Sequence, residues 1–290
     1  MSDRNPESVL IALPKGRMFD EIVSLLKDAG ITIRNSARGY RPTISLENYS
    51  AKILKPRNVI TMLLANARDV GFAGADWLDE MGVELPELLD TGMNPVRLVV
   101  AAPTELLVDG QLPDRPLVIA SEYPNMAQRW VEKKGINATV LHTYGATEVF
   151  PPEDADLIID NTSTGSTLRA NGLQIIDEIM TSSTRLYASA EAMANPYRKE
   201  QLEHLTLLLD AVLRARGRVM MDLNVPKDKL DGVLEILPSM RQPSVSPLSE
   251  DGWFSVRSAV PRKELALIVP KLKSRGATDI VTTSAEQLIP

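Results

Sequence analysis

Between residues 9 and 162, short aliphatic runs alternate with stretches whose apolar positions recur at helical spacing, and glycine or proline marks most of the changes. Parallel strands cannot be joined by a tight turn, so a chain written this way commits to crossover helices and to a sheet covered on both faces. VLIAL (9–13) reads as a buried strand, and FDEIVSLLKDAGI (19–31) as a helix that stops at Gly30. ISLEN and KILKP read as a strand pair ahead of a helical VITMLLANA (59–67). DVGFAGADWLDEMG (69–82) supplies a strand, a glycine turn and a short helix. RLVVAAP (97–103) and PLVIASEYP (116–124) begin further strands, the second followed by the helix NMAQRWVEKKG. ATVLHTYG and ADLIIDNTSTG continue the series.

The expectation is an α/β chain with a largely parallel sheet divided into two lobes. The crossover falls near 95–105, after ELPELLDTGMNP, read as a proline-containing connection, and the return near 180–190, where IMTSSTRLYAS runs back. Residues 1–100, completed by about 185–215, then form the first lobe and 101–184 the second. HLTLLLDAVLRARGR (204–218) is a long helix ending at Gly217, and the pattern changes after it. VMMDLNVP, KDKLDGVLEILP, PSVSPLS, WFSVRSAVP, RKELALIVPKLKSRG and DIVTTSA read as β-α-β-β-α-β, the ferredoxin-like order, in a separate domain at 217–290.

Composition narrows the function. The 290 residues are 44% hydrophobic, enough for two or three compact units. The formal net charge is -6, so no basic excess exists to neutralise nucleic-acid phosphates, and no nucleic-acid partner is expected. A single anion pocket is untouched by that argument. Cysteine is absent, which removes thiolate metal sites, and two histidines, His142 and His204, make a poor basis for a metal centre. The apolar stretch ending at Pro14 is too short for a signal peptide or a membrane span, so a cytoplasmic protein with no membrane partner is expected.

The segment DLIIDNTSTGSTLRANGL (156–173) carries the clearest chemistry. An apolar run ends in Asp160, and the seven residues after it hold five hydroxyls and one glycine. A phosphate needs convergent donors without bulk, and a helix start with Ser and Thr hydroxyls supplies them. Gly165 would let the backbone approach the anion, and no GK[ST] signature of an ATPase loop is present. Asp160 suits ribose hydroxyls or a hydrated Mg2+. The same residues also suit an ordinary strand-to-helix turn with Ser/Thr caps, and the loop alone leaves both open. The fragment resembles the phosphoribosyl-diphosphate loops of phosphoribosyltransferases, with a departure. Common members of that class carry two acidic residues before the turn, and here the second position is Asn161.

Five segments in order, LPKGR (13–17), DVGFAGAD (69–76), EYPN (122–125), GATEVFP (145–151) and STGSTLRANGL (163–173), are together similar to the ATP phosphoribosyltransferase family, which opens histidine biosynthesis. The resemblance runs essentially end to end, and the tail marks the long form. It implies a two-lobed catalytic part like type II periplasmic binding proteins, a C-terminal ferredoxin-like (ACT-like) α+β regulatory domain, and a homo-hexamer with a dimer as the smaller assembly. The implied reaction converts ATP and 5-phosphoribosyl 1-diphosphate to N1-(5-phosphoribosyl)-ATP and pyrophosphate, with Mg2+ as cofactor.

Lys15, Gly16 and Arg17 follow the first strand at its carboxyl end, where open sheets bind ligands, and two cations around a glycine suit a departing pyrophosphate. An exposed helix start has the same composition. The resemblance assigns Arg57 to the nucleotide, Glu148 to the sugar, and Glu122 and Tyr123 to substrate binding. It assigns Thr162, Ser163, Thr164, Gly165, Ser166 and Thr167 to phosphoribosyl diphosphate. Gly71, Gly74 and Asp76 form a tight turn with a structural reading, and Trp77, Trp130 and Trp253 read as core or edge residues. Displacement at an anomeric carbon passes through an oxocarbenium-like state. Lys15, Arg17 and Mg2+ would neutralise the leaving group, and Asp160 with Glu148 would stabilise the ring. Adenine N1 carries no proton, so no strong general base is required. No side chain is assigned as a metal ligand beyond Asp160 as a candidate. The resemblance further implies histidine as a feedback inhibitor at Asn224, Met240, Gln242, Ser244, Ala259 and Asp279. A solute receptor would have no need of the hydroxyl loop, and an amino-acid sensor would leave the residues before the tail without a purpose. A salvage phosphoribosyltransferase would carry the paired acids and lack the tail.

Overall fold

The run VLIALP forms strand β1 (Val9–Pro14), with five of its six residues buried, as a strand covered on both faces requires. The structure is a computed structural model describing residues 5, 7–34, 39–240 and 242–289. The chain continues through α1 (Arg17–Asp28), β2 (Ile33–Arg34), β3 (Thr43–Ile44), β4 (Tyr49–Leu54), α2 (Pro56–Leu64), β5 (Val70–Gly74) and α3 (Ala75–Met81). Then come β6 (Glu87–Pro103), β7 (Leu117–Ser121), α4 (Pro124–Lys134), β8 (Ala138–His142), β9 (Leu157–Thr162), α5 (Ser166–Ala170), β10 (Leu173–Ala188), α6 (Ala190–Ala194) and α7 (Pro196–Arg216). One compact unit comprises Met1–Ile22 and Ile33–Leu202.

Its sheet has the order β4-β1-β5-β10-β6-β9-β7-β8. The strands β4, β1 and β5 are parallel, as are β9, β7 and β8, and these are the sheets of the two lobes. Between them β10 runs antiparallel to both β5 and β6, and β6 runs antiparallel to β9. The sheet is therefore mixed where the pattern suggested a largely parallel one. The segment ELPELLDTGMNP is not a connection either, because β6 takes in most of it. Gly92 and Asn94 have positive φ (63° and 48°), and several register shifts against β10 absorb them as bulges. ISLEN does not pair with KILKP: Ile44 pairs with Ile33, and Tyr49–Leu54 pairs with β1. The helix read from His204 begins at Pro196, where the Asn195 side chain accepts the Arg198 amide at 3.0 Å and proline occupies the first turn.

Alternation along β6 sends side chains to two cores in the second lobe. Leu98, Val100 and Ala102 join Leu117, Ile119 and Met126 on one face, while Val99 and Ala101 join Ala120, Ile158 and Leu168 on the other. In the first lobe α2 lies close on β5. A Cβ at Gly71 would stand 2.6 Å from the Val59 side chain and 3.0 Å from Ala12, so only glycine allows that approach.

The other unit comprises Val23–Thr32 and Glu203–Pro290. It contains β11 (Arg218–Pro226), α8 (Leu230–Leu234), β12 (Ser244–Pro247), β13 (Trp253–Pro261), α9 (Leu265–Ser274) and β14 (Thr278–Thr283). The antiparallel sheet has the order β12-β13-β11-β14, as the ferredoxin-like reading requires. Strict alternation along β11 buries Val219, Met221, Leu223 and Val225 against Val233, Ile268 and Leu272 of the two helices.

Candidate active site

A cleft of about 830 Å3 opens in the two-lobed unit. Lys15, Arg17, Lys55 and Arg57 line it from the first lobe, all four exposed. The ion pairs among the described residues use other cations, so these four charges remain available to an anion. Lys15 is held by Tyr40, whose hydroxyl lies 3.1 Å from the ammonium and whose ring centroid lies 5.1 Å away. The second lobe contributes Glu122, Tyr123, His142, Thr143, Tyr144 and Asn161.

Asp160 lies within β9, half-buried where the strand's fully buried run ends, and accepts the Asn161 amide at 2.6 Å. Burial pushes its carboxyl up to about 6, against the pull of the Asn161 amide and the Thr147 hydroxyl, and Glu122 and Glu148 push in the same direction as burial. Glu122 is raised as well, first by burial, with His142 and Lys55 acting against the shift and Glu148 adding to it. Three carboxylates from β9, from the turn after β7 and from the 3-10 turn Thr147–Val149 thus sense one another.

Of the residues expected from sequence, Lys15, Arg17, Arg57, Glu122 and Tyr123 line the cleft. Gly16, Glu148, Asp160 and Thr162–Thr167 are not among its lining residues. In the loop, Ser163, Thr164, Ser166 and Thr167 are exposed. Thr162 Oγ1 accepts the Gly165 amide at 3.0 Å, and the Thr164 hydroxyl donates to Ser166 Oγ at 3.0 Å. Gly165 has φ 72° and is buried, which keeps the turn tight ahead of the five-residue α5.

Tyr123 has a further role that sequence reading missed. Its hydroxyl donates to Asp76 Oδ2 at 2.7 Å and accepts from Asn161 Nδ2 at 2.9 Å. Asp76 in turn accepts the Ser182 hydroxyl of β10 at 2.7 Å, and its amide donates to Ser182 Oγ at 3.1 Å. Burial and then the Asp76 carboxylate drive the Tyr123 phenol upward, so it stays a donor. One hydrogen-bonded chain therefore ties α3 of the first lobe to the start of α4, to β9 and to β10. Gly74 belongs to it, because a Cβ there would overlap Asp76 Oδ1. Beside it, Glu80 accepts the amides of Asn125 (3.1 Å) and Met126 (2.9 Å) at the start of α4. Asn161 is an amide for a physical reason: an acid there would face a phenol already donating to Asp76.

A protein-family model described as ATP phosphoribosyltransferase matches residues 55–211, and one described as HisG, C-terminal domain, matches 215–287. The chain belongs to the ATP phosphoribosyltransferase family. It is accordingly a phosphoribosyl-transferring enzyme of the first step of histidine biosynthesis, in the long form. The ATP phosphoribosyltransferase of Pelodictyon phaeoclathratiforme is 34% identical over 96% of this chain and 97% of its own. That of Pelotomaculum thermopropionicum is 34% identical over 97% and 99%. Among solved structures, a chain of the ATP phosphoribosyl transferase (HisG:HisZ) complex from Thermotoga maritima is 28% identical, with a TM-score of 0.63, covering 71% of this chain and 98% of its own.

In the ferredoxin-like unit the expected effector residues fall into two groups. Asn224 of β11 donates to Asp279 Oδ2 at 3.0 Å. Met240, Gln242 and Ser244 lead into β12 on the side of Ala259, while Arg241 of that segment lies outside the described residues. Ala259 pairs with Met220, four residues along β11 from Asn224, or about 13 Å at the usual rise per residue. No helix among the described residues is long and apolar enough to cross a membrane.

Proposed function

We propose that the two walls of the cleft divide the labour of phosphoribosyl transfer. The observation that carries the reading is charge: four available cations line one lobe, against Glu122 on the other, and Glu148 and Asp160 lie close enough to Glu122 for the three carboxylates to act on one another. Phosphoribosyl diphosphate lies with its 5-phosphate on the exposed hydroxyls of Ser163, Thr164, Ser166 and Thr167 and its ribose hydroxyls on Asp160. Its diphosphate points toward Lys15 and Arg17. As the C1–O bond breaks, negative charge grows on pyrophosphate beside the cations, and positive charge grows on the ring beside the acids. N1 of ATP, with Arg57 on its phosphates, attacks the anomeric carbon using its own lone pair. Glu122 and Tyr123 complete the substrate contacts, Tyr123 by holding the lobes in register.

Among the described residues no group of three acidic or histidine side chains is set to hold a metal ion. Mg2+ enters this reading as the counter-ion of the diphosphate, with Asp160 as the candidate protein contact, and no step is assigned to it. The separation of Asn224 and Asp279 from Met240, Gln242, Ser244 and Ala259 favours a histidine site completed by a neighbouring copy, as a homo-hexamer or its constituent dimer would provide. Mixing the protein with ATP, phosphoribosyl diphosphate and Mg2+ should change the ultraviolet spectrum of adenine as N1 becomes substituted. An unchanged spectrum, with no pyrophosphate released, would overturn the assignment.

A further inference from the structure

Four aromatic rings line the cleft: Trp77, Tyr123, His142 and Tyr144. Tyr123 is buried with its ring centroid 4.9 Å from that of Trp77, so this pair belongs to the floor between the lobes. Tyr144 differs. It is 88% exposed, and its ring rests on His142 with centroids 4.5 Å apart and planes tilted by 37°. His142 covers one face, and the other face is left to solvent. An apolar ring exposed so fully gains from being covered.

The backbone beneath this ring is fixed. The Thr143 amide donates to the Ser121 carbonyl at 2.9 Å, and Gly145 (φ 111°) and Ala146 (φ 50°) turn the chain immediately after Tyr144. The Thr143 and Thr147 hydroxyls are bonded at 3.0 Å, and Thr147 also reaches Asp160. The same short loop thus carries an open aromatic face at one end and, at the other, a group bonded to Asp160, the carboxylate assigned to the ribose.

We propose that Tyr144, braced by His142, is the platform on which the adenine of ATP stacks, and that it makes the cleft select a purine nucleotide. The inference rests on the reading that the cleft joins ATP to phosphoribosyl diphosphate. A purine on this ring reaches the anomeric carbon through the Thr147 and Glu148 end of the loop, while its phosphates extend toward Lys55 and Arg57. Stacking is tolerant of ring identity, so phenylalanine should replace tyrosine.

The test is binding of ATP, tripolyphosphate and phosphoribosyl diphosphate to the parent, Tyr144→Ala and Tyr144→Phe proteins. Loss of one base–aromatic stack weakens binding by roughly 5- to 150-fold. Tyr144→Ala should lose ATP affinity in that range and raise KM for ATP with kcat at saturation retained. Its affinity for tripolyphosphate and phosphoribosyl diphosphate should be unchanged, and Tyr144→Phe should match the parent throughout. Unchanged ATP affinity in Tyr144→Ala overturns the platform, as does a parallel loss of tripolyphosphate. A parent that binds ATP but forms no N1-phosphoribosyl product overturns the reaction alone, since the platform is judged on the ATP to tripolyphosphate ratio. A parent that does not bind ATP overturns both.

Discussion

Asp160→Asn should make the protein more stable near neutral pH while disabling its sugar site. The Asp160 carboxyl is raised from 3.8 to about 6, chiefly by burial. The folded state therefore binds a proton more tightly than the unfolded chain between these values, and stability falls as pH rises through that window. Above it, the ionised carboxylate costs about 3 kcal/mol, taking 1.36 kcal/mol per pKa unit. Roughly half of this develops between pH 5 and 8, because the rest has already appeared as the unfolded carboxyl titrates. Asparagine keeps the shape and can still accept from the Asn161 amide and the Thr147 hydroxyl, but it does not ionise. Urea unfolding of parent and variant at pH 5 and pH 8 should show the variant gaining about 1–2 kcal/mol relative to the parent at the higher pH. Phosphoribosyl diphosphate affinity should fall, by roughly 1.5–3 kcal/mol for a lost charged hydrogen bond, with ATP affinity much less affected. A stability difference independent of pH, or an intact affinity for phosphoribosyl diphosphate, would refute the reasoning.

Alanine at Lys15 or Arg17 should lower turnover and pyrophosphate affinity with the fold intact, since both side chains are exposed; near-normal kinetics would reduce the KGR segment to a helix start. Thr164→Val and Thr167→Val should weaken phosphoribosyl diphosphate more than ATP in binding isotherms, and equal effects would remove the loop from the phosphate site. Asn161→Asp should destabilise the two-lobed unit by about 1–3 kcal/mol, because the donor to Tyr123 is lost inside a buried network, and a neutral result in urea unfolding would sink that account. Histidine should inhibit the full-length enzyme saturably, and Asp279→Ala should relieve the inhibition while sparing catalysis; insensitivity of the parent to millimolar-scale histidine would end the effector proposal.

The buried strands were legible because they are nearly continuous apolar runs, and the tail was legible because β11 alternates at period two over its whole length. The β6–β10 pair was not, and the reason is local. Gly92, Asn94 and Pro95 are turn residues by every local rule, yet bulges carry them inside a strand of seventeen residues. Side chains then tie that strand to β10: Thr91 donates to the Thr184 carbonyl at 2.6 Å, and Arg185 reaches Glu87 at 2.7 Å. Such bonds join residues more than ninety positions apart, and no window along the sequence contains both partners. Lys55, His142 and Tyr144 were missed for a related reason. Each is an ordinary residue at the end of a strand or the start of a helix, and only the folding of two lobes onto one cleft makes it a neighbour of Lys15 or Glu122.

Asn161 shows how a departure from an expected motif acquires a cause. Beside Asp160 a second acid would grip the ribose as a pair, and this chain has Asn161 in that place. The fold gives position 161 a different task. Its amide supplies the donor that Tyr123 needs after giving its own proton to Asp76, and Asp76 is anchored by Ser182 on the returning strand. A second carboxylate would leave the phenol between two acceptors and add another charge to a region where burial, Glu122 and Glu148 already raise Asp160. On the proposed reading the chain keeps one acid for the sugar, while its neighbour Asn161 holds the Tyr123–Asp76 network together. On that reading, the carboxylate that would stabilise a cationic ring is one whose charge the fold disfavours, because burial removes part of the solvent that would favour it.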